Sequence, residues 1–288
     1  MEIAAMTNMG AIRAALYRRR WLLSRRVVQM FIVLAFLVDW PEVGRIAHGN
    51  LSSSLWLGVL PLTDPFIALQ SLFSGTMLAK TALVGTVIVA GFYFLFGGRI
   101  YCSWVCPINM VTDLAYWLRQ KLNLKGNMTM SRELRMAVLG MSLILTVLSG
   151  TLAWENFNPI TLFQRELMWT SVAGSMVLLS LFLFDLLITR RGWCGHLCPV
   201  GAFYAVLGRY GRLRVTAEQS GSCAGCGSCI RVCPEPHVLA PVVSLKANTV
   251  THGDCTRCGA CLDQCATGAL AMKLDLGKSF RGIPIVRK

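Results

Sequence analysis

Every one of the twelve cysteines in this 288-residue chain belongs to a short pair or run whose spacing suits metal or redox chemistry. "CAGCGSCIRVCPEP" sets Cys223, Cys226, Cys229 and Cys233 ahead of Pro234, and "CTRCGACLDQC" sets Cys255, Cys258, Cys261 and Cys265. Both follow C-x2-C-x2-C-x3-C, the run that holds [4Fe–4S] clusters in bacterial ferredoxins. A cubane needs thiolates at four corners, and a tight CxxCxxC loop can wrap three of them. Ala224, Gly225, Gly227 and Ser228 are small enough to let the backbone pass close to inorganic sulfide. The fourth thiolate leaves along the following helix and reaches the other cluster. The expected sets are therefore Cys223, Cys226, Cys229 and Cys265 for one cluster, and Cys255, Cys258, Cys261 and Cys233 for the other. Zinc favours CxxC pairs divided by a longer spacer. Two complete eleven-residue runs, twenty-one residues apart, do not match that pattern. Ala266 departs from the first run, which has a proline at the corresponding place.

The other four cysteines form two CxxxCP pairs, ninety-two residues apart: "RIYCSWVCPINM" with Cys102 and Cys106, and "RGWCGHLCPVGA" with Cys194 and Cys198. Each follows an apolar run, a basic residue and an aromatic, so the two settings read as an internal repeat. On a helix, an i, i+4 spacing puts both thiols on one face. Pro107 and Pro199 predict a break or a new helix start near each second cysteine. Three readings stand: four thiolates brought together for a further cluster or another metal, a redox-active dithiol at each pair, or structural cysteines that only pack. His196, inside the second pair, is a candidate for proton handling or metal ligation.

Apolar elements must position these groups. The chain is 55% hydrophobic and 15% charged, against about 25% charged in an ordinary domain. Four runs absorb the difference: Val27 to Ile46, Met77 to Phe96, Met136 to Trp154 and Leu167 to Ile188. Each approaches the ~20 residues that cross a bilayer core, and the expectation is four transmembrane helices in a duplicated pair-plus-CxxxCP arrangement. Asp39 and Pro41 weaken the first. Trp154 and Trp169 lie near span ends, where aromatic belts form. Asn50 to Gly75, apolar but interrupted by Pro61 and Pro65, reads as an interfacial or re-entrant segment. Arginine and lysine concentrate in residues 1–26 (six), 97–135 (six) and beyond Thr189 (thirteen), with three elsewhere. Positive charge stays cytoplasmic, which predicts a multi-pass inner-membrane protein with both termini inside. That topology and anionic lipid account for the net charge of +14 without nucleic acid. No cleavable signal peptide is expected. The expected division is a basic N-terminus (1–26), a membrane domain (27–209) and a C-terminal two-cluster ferredoxin-like α+β segment (210–288).

This order of spans, CxxxCP motifs and terminal cluster runs resembles the NapH family of membrane ferredoxin-type proteins of periplasmic nitrate reductase systems. The likeness covers nearly the whole chain and includes "HGNLSSSL", "PLTDPFIALQSLFSG", "GTLAWENFNPI", "WCGHLCPVGAFYAVLG" and "CPEPHVL". It implies a quinol dehydrogenase component rather than a stand-alone enzyme. Electrons from membrane quinol would pass, with a partner iron–sulfur protein and a c-type cytochrome, toward periplasmic nitrate reductase. The CxxxCP-plus-ferredoxin plan is shared with relatives serving nitrous oxide reduction, methylamine use and oxidase assembly. The alternative is thus an iron–sulfur maturation or redox-sensing protein for a respiratory metalloenzyme.

The chain has no CxxCH for haem attachment, and its segments leave no room for a molybdenum-binding domain. A transporter is disfavoured by four spans nearly free of central charge. For a quinol site the candidates are the polar residues near span ends: His48, Asp64, Glu155, Asp185 and His196. Asp185 also has a plainer reading, an ion pair with Arg190 or Arg191.

Overall fold

The computed structural model describes residues 16–17, 19–40, 44–124, 128, 130–169, 172–217, 223, 225–244, 246–265 and 267–275. Arg13, Arg18, Pro41, Ala224 and Ala266, and the side chains of Asp39 and Trp169, lie outside the described residues.

Helix α1 (Arg20–Leu37) ends where Val38 turns extended and opens a hairpin of β1 (Asp39–Trp40) and β2 (Gly44–Arg45). A three-stranded antiparallel sheet follows: β3 (Ala47–Gly49), β4 (Ser53–Trp56) and β5 (Leu60–Thr63). The Asn50 side chain accepts from the Ser52 and Ser53 amides to turn β3 into β4. Leu57 and Gly58, at φ of 51° and 70°, turn β4 into β5. Helix α2 (Pro65–Phe73) is then capped by Asp64, which accepts from the Phe66 amide at 2.9 Å, with Pro65 in the first turn where no amide is required. The stretch expected to be re-entrant is this sheet and helix, because its prolines and polar turn residues satisfy the backbone locally.

Six further helices carry the first two thirds of the chain: α3 (Lys80–Phe96), α4 (Ile108–Lys121), α5 (Glu133–Ser149), α6 (Pro159–Trp169), α7 (Val172–Leu183) and α8 (Pro199–Gly208). Wide π-helical turns at Tyr101–Val105, Phe184–Ile188 and Trp193–Leu197 sit between them.

The expected four-helix membrane body is overturned. Among the described residues no helix is long and apolar enough to cross a membrane. Helices α3 and α5 have 17 residues each, about 26 Å of rise against a ~30 Å hydrocarbon core. Gly97 stops α3 at φ 119°, where the Arg257 guanidinium fills the space a side chain would need. Gly150 stops α5 in the left-handed region at φ 64°. The run Leu167 to Ile188 divides into the end of α6, all of α7 and a π turn. Helix α1 carries Arg20, Arg25 and Arg26.

The multi-pass inner-membrane localisation with both termini cytoplasmic rested on those spans and is corrected with them. Several arginines read as a sidedness signal are internal ties instead. Arg99, Arg119, Arg135 and Arg257 are all 5% exposed or less and bond carboxylates or carbonyls within the fold. Apolar side chains such as Val87, Ile144, Leu148 and Met176 are nevertheless exposed on the outer faces of α3, α5 and α7.

The C-terminal part pairs β6 (Leu213–Ala217) antiparallel with β7 (Leu270–Leu274), from Leu213 opposite Leu274 to Ala217 opposite Leu270. Three short helices, α9 (Ser228–Val232), α10 (Pro236–Val243) and α11 (Ala260–Asp263), pack beside this ribbon. Val215, Val238, Leu239 and Val242 form a small core that also buries Cys229, Cys233 and Cys261. This part has the α+β ferredoxin-like character read from the sequence.

Candidate redox centre

The two CxxCxxC loops are built alike. Gly227 and Gly259 occupy equivalent places, with φ of 67° and 73°, and each opens the short helix bearing the third cysteine, Cys229 or Cys261. A side chain with a Cβ is strained at such angles, so glycine is what lets the loop fold back on itself. Cys233, Cys255, Cys258 and Cys261 line one cavity, although the first belongs to a different run from the others. Burial pushes the Cys233 thiol up, and the neighbouring Cys258 and Cys255 push it further. Burial likewise raises Cys229, whose thiol neighbours are Cys265 and Cys223. The chain therefore crosses over between the runs: after each short helix, the last cysteine turns toward the opposite loop. Four thiols gathered around a cavity suit a cationic centre, whose charge would favour their ionised form.

The CxxxCP cysteines also converge. Cys102, Cys106, Cys194 and Cys198 line a single apolar cavity with Tyr101, Trp154 and Trp193. The π turns explain how. Each first cysteine sits inside a turn, and each second cysteine is extended ahead of its proline, Cys106 with ψ 120° and Cys198 with ψ 113°. The prolines then start α4 and α8, as their sequence positions predict. Burial raises all four thiols; neighbouring thiols push Cys106, Cys194 and Cys198 further up, while Arg99 partly offsets the rise at Cys102. Cys198 reaches about 12, through burial first and Cys102 second.

Among the described residues, the side chains that converge within 4.8 Å as a group are His237, His252 and Asp254, none of them a cysteine. The thiol sets are thus more open than the roughly 3.8 Å sulfur spacing that a tetrahedral zinc with ~2.3 Å bonds would impose.

Arg99 joins the two regions. Its guanidinium donates to the Cys194 carbonyl at 3.0 Å, to the Glu235 carboxylate at 2.8 Å and to the Asp254 carbonyl at 3.1 Å. Glu235 lies two residues after Cys233, and Asp254 immediately precedes Cys255. Arg135 ties Asp254 and Glu235 from α5, and His237 bonds Asp254 at 3.1 Å. Burial opposes the Arg99 charge, but Glu235, Cys102 and Asp254 hold it protonated above the usual arginine range. The matching arginine of the repeat, Arg191, pairs with Asp113 at 2.8 Å, which also takes Arg26 at 2.5 Å. Buried Gln29 donates to the Ser103 and Cys106 carbonyls and holds the first π turn in place.

The remaining sequence candidates scatter. Asp64 is buried, and its Oδ1 accepts from the Tyr204 hydroxyl at 2.9 Å; burial, partly offset by these hydrogen bonds, raises its carboxyl to about 6. Glu155 accepts from Ser52, Thr161 and Asn158. His48 is exposed on β3, opposite Leu55. His196 lies outside the thiol cavity, with Nδ1 3.4 Å from the Ser131 carbonyl. Asp185 accepts from the Trp193 amide at 3.0 Å. Its expected ion pair is corrected: Arg191 goes to Asp113, and Arg190 reaches the Arg231 carbonyl at 2.6 Å.

Sequence reasoning passed over Arg99, Glu235, Asp254 and Gln29. The arginine repeated before each CxxxCP is the available signal, since it sets a charge beside each thiol pair.

Crossed cysteine runs on a ferredoxin-like frame define an iron–sulfur electron-transfer protein of ferredoxin type. A 4Fe-4S binding domain model matches twice, over residues 78–125 and 169–216, one match for each CxxxCP half. A 4Fe-4S dicluster domain model matches residues 216–266. The ferredoxin-type protein NapH of Escherichia coli is 49% identical over 78% of this chain and 78% of its own length. The methylamine utilization ferredoxin-type protein MauN of Methylorubrum extorquens is 45% identical over 86% of each chain. NapH of Haemophilus influenzae is 42% identical over 77% of this chain and 78% of its own. No solved structure matches. The chain belongs to the family of ferredoxin-type proteins that includes NapH and MauN.

Proposed function

We propose that this chain takes electrons from a quinol and passes them, one at a time, through centres held by its cysteines. A partner iron–sulfur protein and a c-type cytochrome would then carry them to a periplasmic nitrate reductase. In this reading Cys223, Cys226, Cys229 and Cys265 hold one [4Fe–4S] cluster, and Cys255, Cys258, Cys261 and Cys233 hold the other. Residues 210–288 are the cluster-bearing unit. Cys102, Cys106, Cys194 and Cys198 are the entry point, where a further cluster or another metal would sit.

The observation that carries the reading is the seating of Arg99 between the four CxxxCP thiols and the Cys233 set. An iron–sulfur centre supplies one-electron chemistry over a wide span of potentials, tuned by charge and hydrogen bonds near its sulfurs. The chain's own residues do the tuning. Arg99 places a fixed positive charge between both thiol sets, which stabilises added electrons there. Tyr101, Trp154 and Trp193 exclude water from the entry cavity.

The test is anaerobic purification, assay of iron and sulfide, and electron paramagnetic resonance after adding reduced quinol. A reduced-cluster signal that quinol produces supports the proposal. Centres that dithionite reduces and quinol leaves oxidised would overturn the quinol role. The MauN likeness, which covers more of the chain, supports a second destination for the electrons: methylamine utilization.

A further inference from the structure

A cavity of about 190 Å³ lies against the thiol cavity, lined among others by Phe36, Trp56, Asp64, Tyr93, Tyr101 and Tyr204. Tyr101 belongs to both cavities, so one ring separates them. Three tyrosines form this wall. Tyr101 stacks on Tyr204 with centroids 4.8 Å apart, and Tyr93 meets Tyr204 edge-on at 5.0 Å. Among the described residues, Asp64 is the only carboxylate lining the cavity. Both of its hydrogen bonds, from the Phe66 amide and the Tyr204 hydroxyl, fall on Oδ1. Oδ2 makes neither.

We infer that this cavity binds the head ring of a quinol, with Asp64 Oδ2 accepting one of its two protons and Tyr101 standing between the ring and the CxxxCP thiols. The inference rests on the quinol-donor reading above and gives it a site. A largely apolar slot with a few convergent polar groups is the usual form of a small-molecule site, and this one is smaller than the ~300–1,000 Å³ of sites for drug-sized ligands. It suits a ring whose tail projects from the open side.

The chemistry balances as follows. The quinol hydroxyl facing Asp64 loses its proton to Oδ2, breaking one O–H bond and forming another. The second hydroxyl loses its proton to water at the rim. The two electrons would leave singly toward the thiol side, where oxidised iron–sulfur centres held by the cysteines would accept them, and a quinone would remain. The groups facing Asp64 are Tyr204, Tyr93, Tyr101, the Cys102 thiol and Glu155, whose charge also opposes ionisation of Asp64. A carboxyl with its proton affinity raised toward neutrality is suited to accept a proton at physiological pH.

A larger cavity of about 740 Å³ lies beside Cys265. Among the described residues its lining carries Arg20 and Arg257 but no carboxylate or histidine to take a quinol proton.

The experiment uses the full-length chain with its clusters and decylubiquinone as the probe. Quinones quench tryptophan fluorescence, and Trp56 lies in the wall. Saturable quenching is expected, largely lost in Trp56→Phe and weakened at least about tenfold in Val89→Phe, which fills the slot. Asp64→Asn should bind within about threefold of wild type while quinol-driven cluster reduction slows by about a hundredfold, the scale of a lost general base. Dithionite reduction of the same variant should be unchanged, which separates the effect from misfolding. If quinol reduces the clusters equally well in wild type, Val89→Phe and Asp64→Asn, the site is overturned while the quinol-donor reading stands. If decylubiquinone binds the slot and quinol reduces nothing, the donor reading fails and takes the proton role with it.

Discussion

Arg99 and Glu235, 136 residues apart in the chain, meet at 2.8 Å in an ion pair that is almost wholly buried. Arg99 precedes the first CxxxCP pair, and Glu235 follows the cysteine that crosses between the ferredoxin runs. One contact therefore ties the first half of the chain to the cluster-bearing tail. Removing either partner leaves the other charge buried.

Arg99→Leu is expected to lower unfolding free energy by about 3–5 kcal/mol, the scale for breaking one side of a buried pair. Arg99→Lys should recover only part of this, since one ammonium cannot span Cys194, Glu235 and Asp254 as a planar fork does. Arg132 also approaches Glu235, at 3.6 Å, but its side chain is 44% exposed. Arg132→Ala should therefore stay within about 0.5 kcal/mol of wild type. Urea unfolding of the three variants checks the ordering, and equal losses for Arg99 and Arg132 would contradict it.

Two glycine substitutions should move stability in opposite directions. A Cβ at Gly98 would run into the Tyr204 carbonyl, and the backbone there has no room to give. Gly98→Ala should cost about 1–3 kcal/mol. Gly140, inside α5, has nothing within 4 Å of the same position. Gly140→Ala should add about 0.5–1 kcal/mol through helix propensity. Thermal melts of the pair decide the point.

Asp64 predicts a pH dependence with a definite sign. Its carboxyl is raised from 3.8 to about 6, mainly by burial, so the folded chain holds this proton more tightly than the unfolded one. The stabilisation is fully present below about pH 4 and is lost as pH rises through 6, a swing of about 3 kcal/mol. Asp185, raised to about 6 mainly by burial as well, acts in the same direction. Asp254 is held below the ordinary carboxylate range, with His237 and Arg135 outweighing its burial, and acts oppositely in strong acid. Urea midpoints from pH 4 to pH 7 should fall less steeply in Asp64→Asn than in wild type. Parallel curves would mean that Asp64 is not the group responsible.

Crossed ligation has a signature in paired variants. Cys233→Ser and Cys255→Ser should each remove the same cluster, so the double variant loses no more iron than either single one. Cys233→Ser with Cys223→Ser should lose about twice as much, roughly eight irons in place of four for two cubanes. Iron assay after anaerobic purification reads this directly, and the reverse pattern would assign each run to its own cluster.

The kind of chemistry is legible in the order of residues. Cysteine spacing is local, and a CxxCxxC loop folds around a centre for reasons contained in seven residues, including the left-handed glycines Gly227 and Gly259. The order of residues also determined the repeat, since Pro107 and Pro199 end each CxxxC turn by removing an amide. Hydrophobicity misled where it was summed over windows. The run Met77 to Phe96 is apolar apart from Lys80, yet its helix starts only at Lys80 and is stopped at 17 residues by Gly97 and the arginine packed over it. Tertiary structure alone decided that the four CxxxCP thiols share a cavity, that Asp64 stands one tyrosine away from them, and that Arg99 is an internal tie. Those facts depend on contacts between residues far apart in the chain, 92 positions for the two CxxxCP pairs and 136 for Arg99 and Glu235, for which no local pattern exists. A buried arginine and an exposed one have the same side chain, and only their surroundings tell them apart.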